Sequence, residues 1–570
     1  MRQLLISGTE IICGMSEFSN RLVKTFDEPK EWHFVAYDQL NSKLFPDYET
    51  PQDLGLIFVE TKWKPKQIPY HKQKLVLLLS NMRNFALEMQ EIGHPIIYLQ
   101  SETDYSSTLM PIAEQKGLIT ATMPAELMLK NDLMNLTDHG LIHFIEHKGW
   151  LTTQEEFVDA VGDSPPWRMD RYYQKIRKNH GILLTDDGKP LGGKWSLDAE
   201  NRLTWDRAVP LPKPIRFEIN AITREVIEMV DKEFSHHPGL IDESNLPSTG
   251  KDATRLWEWA KQEVMEYFGP YEDAMTSEHL TLFHTTISSL MNMHRLMPKQ
   301  ILDESLDLDI RLNSKEGFIR QIIGWREFVR HVHNLTNGFE DLALQNEIKA
   351  RPAAGWNENL EWAEAKPSPN ILAADYPLPQ AFWGGETGML CLDSAIKQVH
   401  ETGYTHHVPR LMVLANIATL LGVNSREITD WFWAMFTDAY DWVVEPNVLA
   451  MGTYSVGEVM TTKPYVCGTP YIKKMGDYCT DCDLHFKKSC PISEMYWNFL
   501  NENKDHFEGN HRMMMPMRNL AKKTNEVNSR NKEITDYVRK TLSKGRKLEK
   551  TVLLNLKSDN KGKLFINPAK

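Results

Sequence analysis

The chain has 570 residues and a mass of 66.0 kDa, which is too long for one hydrophobic core, so two or more domains are expected. Apolar residues make up 41% and charged residues 25%, as in globular proteins, and no apolar run approaches the roughly 18 residues of a membrane helix. The N-terminus lacks a secretory signal pattern and cysteines are few, so we expect a soluble, cytoplasmic protein.

The net charge of −12 argues, taken alone, against a nucleic-acid partner. The charge is unevenly distributed, because residues 511–570 carry 16 lysines and arginines against 5 carboxylates. That segment has a net charge of +11, which leaves −23 on the rest of the chain. The basic tail is either a solvated, partly disordered end or a phosphate-binding segment.

Residues 32–135 alternate short apolar runs with helical patterns. Runs beginning at Trp32, Leu54 and Pro95 read as buried strands, and Leu75–Glu91 has the three-and-four spacing of a helix. This βαβ pattern predicts a doubly wound parallel sheet. No G-x-G-x-x-G or P-loop string is present, so a nucleotide site of either type is unsupported.

A loop-rich stretch and a proline-rich boundary, Pro210-Leu-Pro-Lys-Pro, separate this region from an almost wholly helical one. Helices are predicted there, for example over Thr281–Leu290 and Phe318–Val332. The predicted organisation is an N-terminal extension (1–31), an α/β domain (32–135), a connector (136–215), a large all-α domain (216–515) and a basic tail (516–570).

Three of the six cysteines lie within twelve positions, in Cys479-x2-Cys482 and Cys490, and Cys391 lies well upstream. Such clustering indicates a metal or iron-sulfur site. Thiolates suit both tetrahedral zinc and iron-sulfur clusters. The local string, with His485, resembles a shortened zinc knuckle, and spacing alone leaves the two chemistries equally open.

Adjacent histidines, His406 and His407, begin an apolar helix that also carries Arg410. They either form hydrogen bonds at the helix start or act as a general acid toward a substrate. Arg410 needs an anion in such a helix, because an unpaired buried guanidinium is costly, and Asp438 and Asp441 are both candidates.

Several strings, taken in order, resemble one family. They are Gly192–Arg202, Phe318–Phe328, Gly403–Val413, Asp438–Trp442, Lys463–Tyr465 and Met475–Cys479. Together they resemble the iron-sulfur bacterial cryptochromes and photolyases, also called prokaryotic (6-4) photolyases, over residues 32–520.

The resemblance implies the cryptochrome/photolyase fold, with FAD and a 4Fe-4S cluster in the helical domain. It also implies an antenna, 6,7-dimethyl-8-ribityllumazine, in the α/β domain. The cluster ligands carry over onto Cys391, Cys479, Cys482 and Cys490, whereas Cys467 and His485 are not expected to bind iron. The antenna positions carry over onto Asp38, Gln39 and Glu60.

Further roles carry over from the same resemblance. The FAD site is expected to comprise Ser288, Gln321, Trp325, Arg326, Arg410, Asp441 and Asn447, with Arg410 paired to Asp441. Electron transfer to the flavin is expected through Trp383, Trp431 and Tyr440. The lesion pocket is expected to comprise His406, His407, Tyr465, Tyr471 and Met451, with His407 transferring a proton.

The function implied is light-driven repair of (6-4) photoproducts by a monomer acting on UV-damaged DNA, in the cytoplasm and on the nucleoid of a prokaryote. Extruding such a lesion from the duplex costs only a few kcal/mol. A cryptochrome-like blue-light receptor with the same cofactors is the alternative within the family. A non-enzymatic, zinc-stabilised DNA-binding protein is the alternative from another class.

Overall fold

The computed structural model describes residues 9–11, 16–342, 347–348 and 368–558. The N-terminal domain is built on a six-stranded sheet. Its strands are β1 (Thr9–Ile11), β2 (Glu31–Val35), β3 (Leu54–Thr61), β4 (Ile96–Ser101), β5 (Ile119–Thr122) and β6 (Ile142–Ile145). The order is β1-β4-β3-β2-β5-β6; β2 to β6 run parallel and β1 is antiparallel at the edge. The predicted doubly wound sheet is therefore confirmed.

The central strand β3 explains why this part of the chain forms a parallel sheet. All eight of its residues are buried, as expected for a strand covered by helices on both faces. Its neighbours hold it in register, with Phe58 opposite both Val35 and Tyr98. The helices of this domain are α1 (Glu17–Arg21), α2 (Trp63–Gln67), α3 (Lys72–Ile92), α4 (Tyr105–Lys116) and α5 (Leu127–Asp138).

Two boundaries of the predicted α/β domain are wrong. Strand β6, at 142–145, pairs with β5, so the sheet extends beyond residue 135. The N-terminal extension also belongs to the domain, because β1 pairs with β4 and the fully buried Phe18 of α1 packs on Tyr98 at 4.6 Å. The extension covers an edge and a face of the sheet that would otherwise be exposed.

The connector holds two helices, α6 (Gln154–Val161) and α7 (Met169–Asn179), and the helical domain follows. Its α-helices are α8 (Ala221–Glu233), α9 (Gly250–Trp259), α10 (Met265–Phe268), α11 (Ser288–Asn292), α12 (Pro298–Asp307), α13 (Leu312–Ile319), α14 (Glu327–Leu335), α15 (Leu390–Thr402), α16 (His407–Pro409), α17 (Asn416–Leu420), α18 (Ser425–Met435), α19 (Asp441–Val444), α20 (Thr469–Met475), α21 (Tyr478–Asp481) and α22 (Ile492–Glu502). A two-stranded pair, β7 (Glu347–Ile348) and β8 (Ser368–Pro369), lies between α14 and α15.

Four segments of this domain are π-helical, at 260–264, 320–326, 410–415 and 445–452. Such segments are rare and are frequent at functional sites. The helix predicted over Thr281–Leu290 is wrong in its first part, because only Ser288–Asn292 is helical. Leu282 and Thr286 have φ of 45° and 56°, a left-handed conformation that interrupts a helix.

The chain continues as α23 (Met514–Leu520), α24 (Asn525–Leu542) and α25 (Lys550–Lys557). Ile534, Val538 and Leu542 of α24 are fully buried, so the described part of the basic tail is folded against the helical domain. Among the helices that the structure describes, none is long and apolar enough to span a membrane.

Candidate functional site

Three histidines meet in the helical domain at what we call the histidine pocket, defined by His284, His406 and His407. Each offers a ring nitrogen within 4.8 Å of those of the other two. The rings of His284 and His406 stack at 4.3 Å with an angle of 13°, and His284 meets His407 edge-on at 5.2 Å. The structure therefore brings the predicted histidine pair together with a third histidine that the sequence did not predict.

The missed residue lies in a strained loop. His284 is flanked by Leu282 and Thr286, two residues with positive φ, and such conformations cost of order 1–3 kcal/mol each. Strain of this kind is retained where the surrounding structure fixes a functional geometry. No signal for it is present in the residue types, because neither position is a glycine or asparagine.

Burial governs the protonation of the pocket. Burial, and then the other nearby cations, lower the pKa values of His284 and His406 well below the ordinary range. Their Nε2 and Nδ1 atoms, respectively, are buried without a hydrogen-bond partner. Unpartnered buried nitrogens are costly, so this pocket is suited to a ligand that supplies the missing partners.

His407 differs from the other two histidines in exposure. Its side chain is exposed to solvent, yet burial by the surrounding protein lowers its pKa to about 4. His407 therefore lines a recess that opens to solvent. The nearby carboxylate of Asp273 acts in the opposite direction and raises the pKa of His407. The ring is therefore neutral in the free protein at neutral pH, and a further anion beside it would favour the protonated form.

The expected pairing of Arg410 with Asp441 is wrong. Arg410 forms a bidentate ion pair with Asp438, at 2.9 and 3.0 Å, and its Nε donates to the carbonyl of Thr405. Asp441 is instead turned toward the α/β domain, where its Oδ2 accepts from the backbone N–H of Leu127 at 2.7 Å, at the start of α5. Three residues of separation place the two carboxylates on different sides of the α18–α19 turn.

Asp438 also connects several of the predicted FAD residues. The Ser288 hydroxyl donates to Asp438 at 2.7 Å, and Asn292 donates to the Asp438 carbonyl at 2.9 Å. Asn292 in turn lies within 3.4 Å of Arg326 Nε. Ser288, Arg410 and Arg326 therefore belong to one polar network.

The π-helical segments carry most of the remaining predicted FAD residues. Gln321, Trp325 and Arg326 lie on 320–326, Arg410 begins 410–415, and Asn447 lies on 445–452. Gln321 is held away from the Asp438 network, since its amide donates to Glu272 at 2.7 Å. Asn447 donates to the Val443 carbonyl at 2.8 Å.

Arg326 has the clearest need for an anion. Its guanidinium lies over the rings of Trp150 and Trp442, at 4.4 and 5.4 Å, and Glu327 accepts from one nitrogen at 3.2 Å. Burial lowers the pKa of Arg326 to about 10, and its Nη2 is buried without a hydrogen-bond partner.

The predicted electron-transfer residues divide into two groups. Trp431 is fully buried, donates to the Phe382 carbonyl at 3.0 Å and packs on Phe382, the neighbour of Trp383. Tyr440 lies elsewhere, stacked on Tyr37 of the α/β domain at 6.3 Å. Trp431 therefore contacts the turn that carries Trp383, whereas Tyr440 lies at the domain interface.

The predicted lesion residues share charged neighbours with the histidine pocket. Asp198 acts electrostatically on His407, Tyr465 and Tyr471, and Arg202 acts on both tyrosines. Burial raises the pKa values of the two tyrosines, so both keep their hydroxyl protons. Met451 is half-buried on the π-helical segment that carries Asn447. His407, Tyr465 and Tyr471 therefore all lie near the charge of Asp198.

The four predicted cluster cysteines also come together, and we call them the cysteine clasp: Cys391, Cys479, Cys482 and Cys490. Burial, and then the proximity of the other three thiols, raise the pKa of Cys391. Cys479 has a pKa raised to about 11 by burial and by Cys490 and Cys482. Four thiols that oppose one another's ionisation form a donor set that a cation would stabilise.

The side chains of the two excluded candidates make other contacts, although the His485 carbonyl accepts from Cys490 N at 3.0 Å. Cys467 contacts the Asn416 amide at 3.4 Å, and burial raises its pKa to about 12 with no contribution from another thiol. The His485 ring is exposed and stacks on Phe486 at 4.9 Å.

The clasp is also tied to the loop that leads to His284. Asp477 accepts from Thr276 Oγ1 at 2.5 Å and from Ser277 N at 2.9 Å. Met275 N donates to the Met475 carbonyl at 2.8 Å. The chain around Cys479 thus anchors residues 275–277, seven positions before His284.

A small cavity, of about 50 Å³, lies between the two domains. Glu60 lines it, but this carboxylate is committed to Arg83, at 2.6 and 2.8 Å, and to Tyr98 at 2.7 Å. Asp38 Oδ1 and Gln39 Oε1 are buried without hydrogen-bond partners. Lys64 fills part of the space and pairs with Glu126.

Two family models match different parts of this chain. The model described as deoxyribodipyrimidine photo-lyase-related protein matches residues 33–246, and the FAD binding domain of DNA photolyase matches residues 318–467. The second range includes Gln321, Trp325, Arg326, Arg410 and Asn447.

Comparison with individual proteins agrees with these matches. A (6-4) photolyase from Agrobacterium fabrum is 27% identical over 490 residues, covering 83% of this chain and 91% of that protein. The fold resembles that of a bacterial class III photolyase from Agrobacterium tumefaciens, with a TM-score of 0.51 and 13% identity over 91% of this chain and 99% of that one. A cryptochrome from Synechocystis sp. PCC6803 also has a TM-score of 0.51 and 13% identity, over 85% of this chain and 95% of that one.

The fold and the matched domains define a flavin-binding protein of the photolyase and cryptochrome type. The chain carries a photolyase-related domain over residues 33–246 and a photolyase FAD-binding domain over residues 318–467, and it is similar over most of its length to a bacterial (6-4) photolyase.

Proposed function

We propose that this protein uses blue light to repair (6-4) photoproducts in DNA. One observation carries the proposal: a histidine pocket with unpartnered buried nitrogens opens to solvent through His407, beside the polar network that joins Ser288, Arg326 and Arg410. The similarity to a (6-4) photolyase over 83% of the chain supports the same conclusion. A DNA substrate also accords with the proposed cytoplasmic and nucleoid location.

The residues present fit FAD. The unpartnered Nη2 of Arg326 provides a donor for a diphosphate. The half-buried Ser288 hydroxyl donates to Asp438, so its oxygen is left to accept from a ribityl hydroxyl. Trp325 provides a half-buried aromatic surface, and Asn447 lies half-buried on a neighbouring π-helical segment. Arg410 stays paired with Asp438, so it offers a fixed dipole rather than a free cation. When bound and reduced, the flavin supplies the light-driven electron.

The clasp fits an iron-sulfur cluster better than a single zinc ion. In the part of the chain that the structure describes, only the three histidines of the pocket gather ligand atoms within 4.8 Å of one another. Zinc bonds to sulfur at about 2.3 Å, which requires sulfurs about 3.8 Å apart. The four sulfurs are more widely spread, so we propose a 4Fe-4S cluster held by Cys391, Cys479, Cys482 and Cys490.

His407 is the residue we propose for proton transfer. It is the solvent-accessible member of the pocket, and Asp273 favours its protonated form. DNA phosphates arriving with the lesion would favour that form further. The protonated Nε2 or Nδ1 of His407 would then give its proton to the lesion, so that the displaced hydroxyl can return to its base. His284, which stacks on His406, would hold the His407 ring in position through its edge-on contact.

The lumazine antenna fits less well. Asp38 and Gln39 offer unpartnered buried oxygens, but the adjoining cavity of about 50 Å³ is far below the roughly 300 Å³ of a small ligand site. The residues as placed do not fit the chromophore, and no step of repair is assigned to it.

A visible absorption spectrum and a light-dependent repair assay test the proposal. We expect flavin bands with additional iron-sulfur absorption, and conversion of (6-4) photoproducts under blue light but not in the dark. Flavin without repair would establish a photoreceptor instead. A colourless protein that contains zinc would overturn the cofactor assignments as well.

A further inference from the structure

A groove of about 490 Å³ lies on the surface beyond the cysteine clasp. The segment between Cys482 and Cys490, helices α22, α24 and α25, and the turn before α24 form its walls. Five of its lining residues are cationic and one is a carboxylate: Lys487, Lys488, Lys523, Arg530, Lys557 and Glu494. This concentration of positive charge is unusual on a chain whose net charge is −12.

The one carboxylate is already neutralised. Glu494 accepts from Lys557 Nζ at 2.6 Å, and the same ammonium donates to the Cys490 carbonyl at 2.6 Å. Within the described residues, Lys487, Lys488 and Lys523 make no ion pair with a carboxylate. Lys523 lies over the ring of Trp497 at 4.2 Å, which fixes its position at the groove wall.

Cys490 contacts both the groove and helix α20. On one side, Cys490 holds Lys557 through its carbonyl; on the other, its sulfur lies 3.5 Å from Thr469 Oγ1 at the start of α20. Tyr471, one of the predicted lesion residues, lies in the same helix.

From this arrangement we infer that the groove binds backbone phosphates of the DNA, as a second contact outside the lesion recess. Duplex DNA carries one charge per roughly 1.7 Å of its axis, so a row of lysines releases counterions when it binds. The chain's own C-terminus is a poor occupant, because residues 559–570 hold three lysines and one aspartate and so share the groove's sign of charge. The inference rests on the proposed function only in taking DNA as the ligand.

The test is binding of an undamaged duplex in the dark, measured against salt concentration for wild type and for Lys488→Gln/Lys523→Gln. Each phosphate contact contributes about 0.9 to the slope of log K against log salt, so the double variant should lose about 1.8 from that slope. Affinity for undamaged and lesion-containing duplexes should fall by the same factor. Lys24→Gln/Lys251→Gln, which removes two exposed lysines elsewhere, should leave the slope unchanged.

An unchanged slope in the groove variant, or an equal loss in the control variant, overturns the inference. A free-anion site would show itself if inorganic phosphate displaced DNA from the wild type, but not from the groove variant, beyond chloride at equal ionic strength. A change of oligomeric state in the groove variant, with DNA affinity retained, would assign the groove to a protein contact. Repair activity does not enter these measurements, so failure of the proposed function remains distinguishable.

Discussion

The cysteine clasp and the histidine pocket lie in the same domain, and each joins two remote segments of the chain, yet their environments differ. Cys391 and Cys490 are buried, and backbone and side-chain hydrogen bonds tie the chain around Cys479 to residues 275–277. The pocket is open through His407, and two of its ring nitrogens have no partner. The clasp is therefore suited to fixing segments of the chain to one another, whereas the pocket is suited to binding a ligand.

The buried thiols of the clasp and the buried histidines of the pocket therefore need different partners. Thiols that raise one another's pKa values become thiolates together only when a cation offsets their charge, and the bound cation then stabilises the fold. Neutral histidines with unpartnered nitrogens gain hydrogen bonds only when a substrate or cofactor arrives. Substitutions in the clasp should therefore change the stability of the protein, whereas substitutions in the pocket should change its repair rate.

The largest expected effect follows from Cys490→Ser. Because the clasp anchors the loop before His284, loss of the cluster should lower the stability of the helical domain by about 4 kcal/mol or more, or roughly 10 °C in Tm. Iron content, visible absorption and thermal unfolding measure this effect. Cys467→Ser, which changes a cysteine outside the clasp, should keep its iron; equal losses in both variants would contradict the ligand assignment.

His407→Asn should act on the chemistry alone. Removal of a general acid typically costs roughly 10²- to 10⁴-fold in rate, so repair should fall by that range while FAD content and Tm stay at wild-type values. Repair rates under saturating blue light measure the effect. If the variant repairs as fast as wild type, His407 is not the proton donor.

Asp438→Asn and Asp441→Asn test the corrected pairing of Arg410. Removing Asp438 leaves a largely buried guanidinium without its anion, at a cost of about 3–5 kcal/mol, and should reduce FAD content. Removing the Asp441 charge weakens a cap on α5, worth about 1 kcal/mol, and its attraction to the buried Lys64. Urea unfolding and bound flavin are the measurements; the reverse order of effects would restore the pairing with Asp441.

The smallest expected effect is a change in pH dependence in Asp273→Asn. Asp273 raises the pKa of His407, so its removal should lower that pKa. A general acid acts in its protonated form, and repair is lost as pH rises through the pKa. The high-pH limb of the repair profile should therefore move to lower pH, and repair at neutral pH should fall by up to about tenfold. Glu278→Gln, an exposed charge in the same loop, should leave the profile in place.

Some of these features follow from the order of residues in the sequence, and others do not. The buried run of β3 and the helix at α3 were predictable, because period and apolarity follow directly from residue order. Local spacing indicated a metal or iron-sulfur site at Cys479, Cys482 and Cys490, whereas the resemblance alone implied Cys391 as the fourth ligand. The position of His284 was not predictable. Its contact with His406 depends on a loop with positive φ angles at Leu282 and Thr286, and neither residue type favours that conformation.

Sequence by itself determined the parallel sheet, the helical domain, the three clustered cysteines and the histidine pair, because each rests on periodicity, spacing or a contiguous motif. Tertiary structure alone decided that Arg410 pairs with Asp438 and that Asp441 faces the α/β domain. It also decided that His284 completes the pocket and that the basic segment forms one wall of a groove. These outcomes depend on which side chains remote segments bring together under burial, and burial sets both the cost of an unpaired charge and the pKa of each histidine.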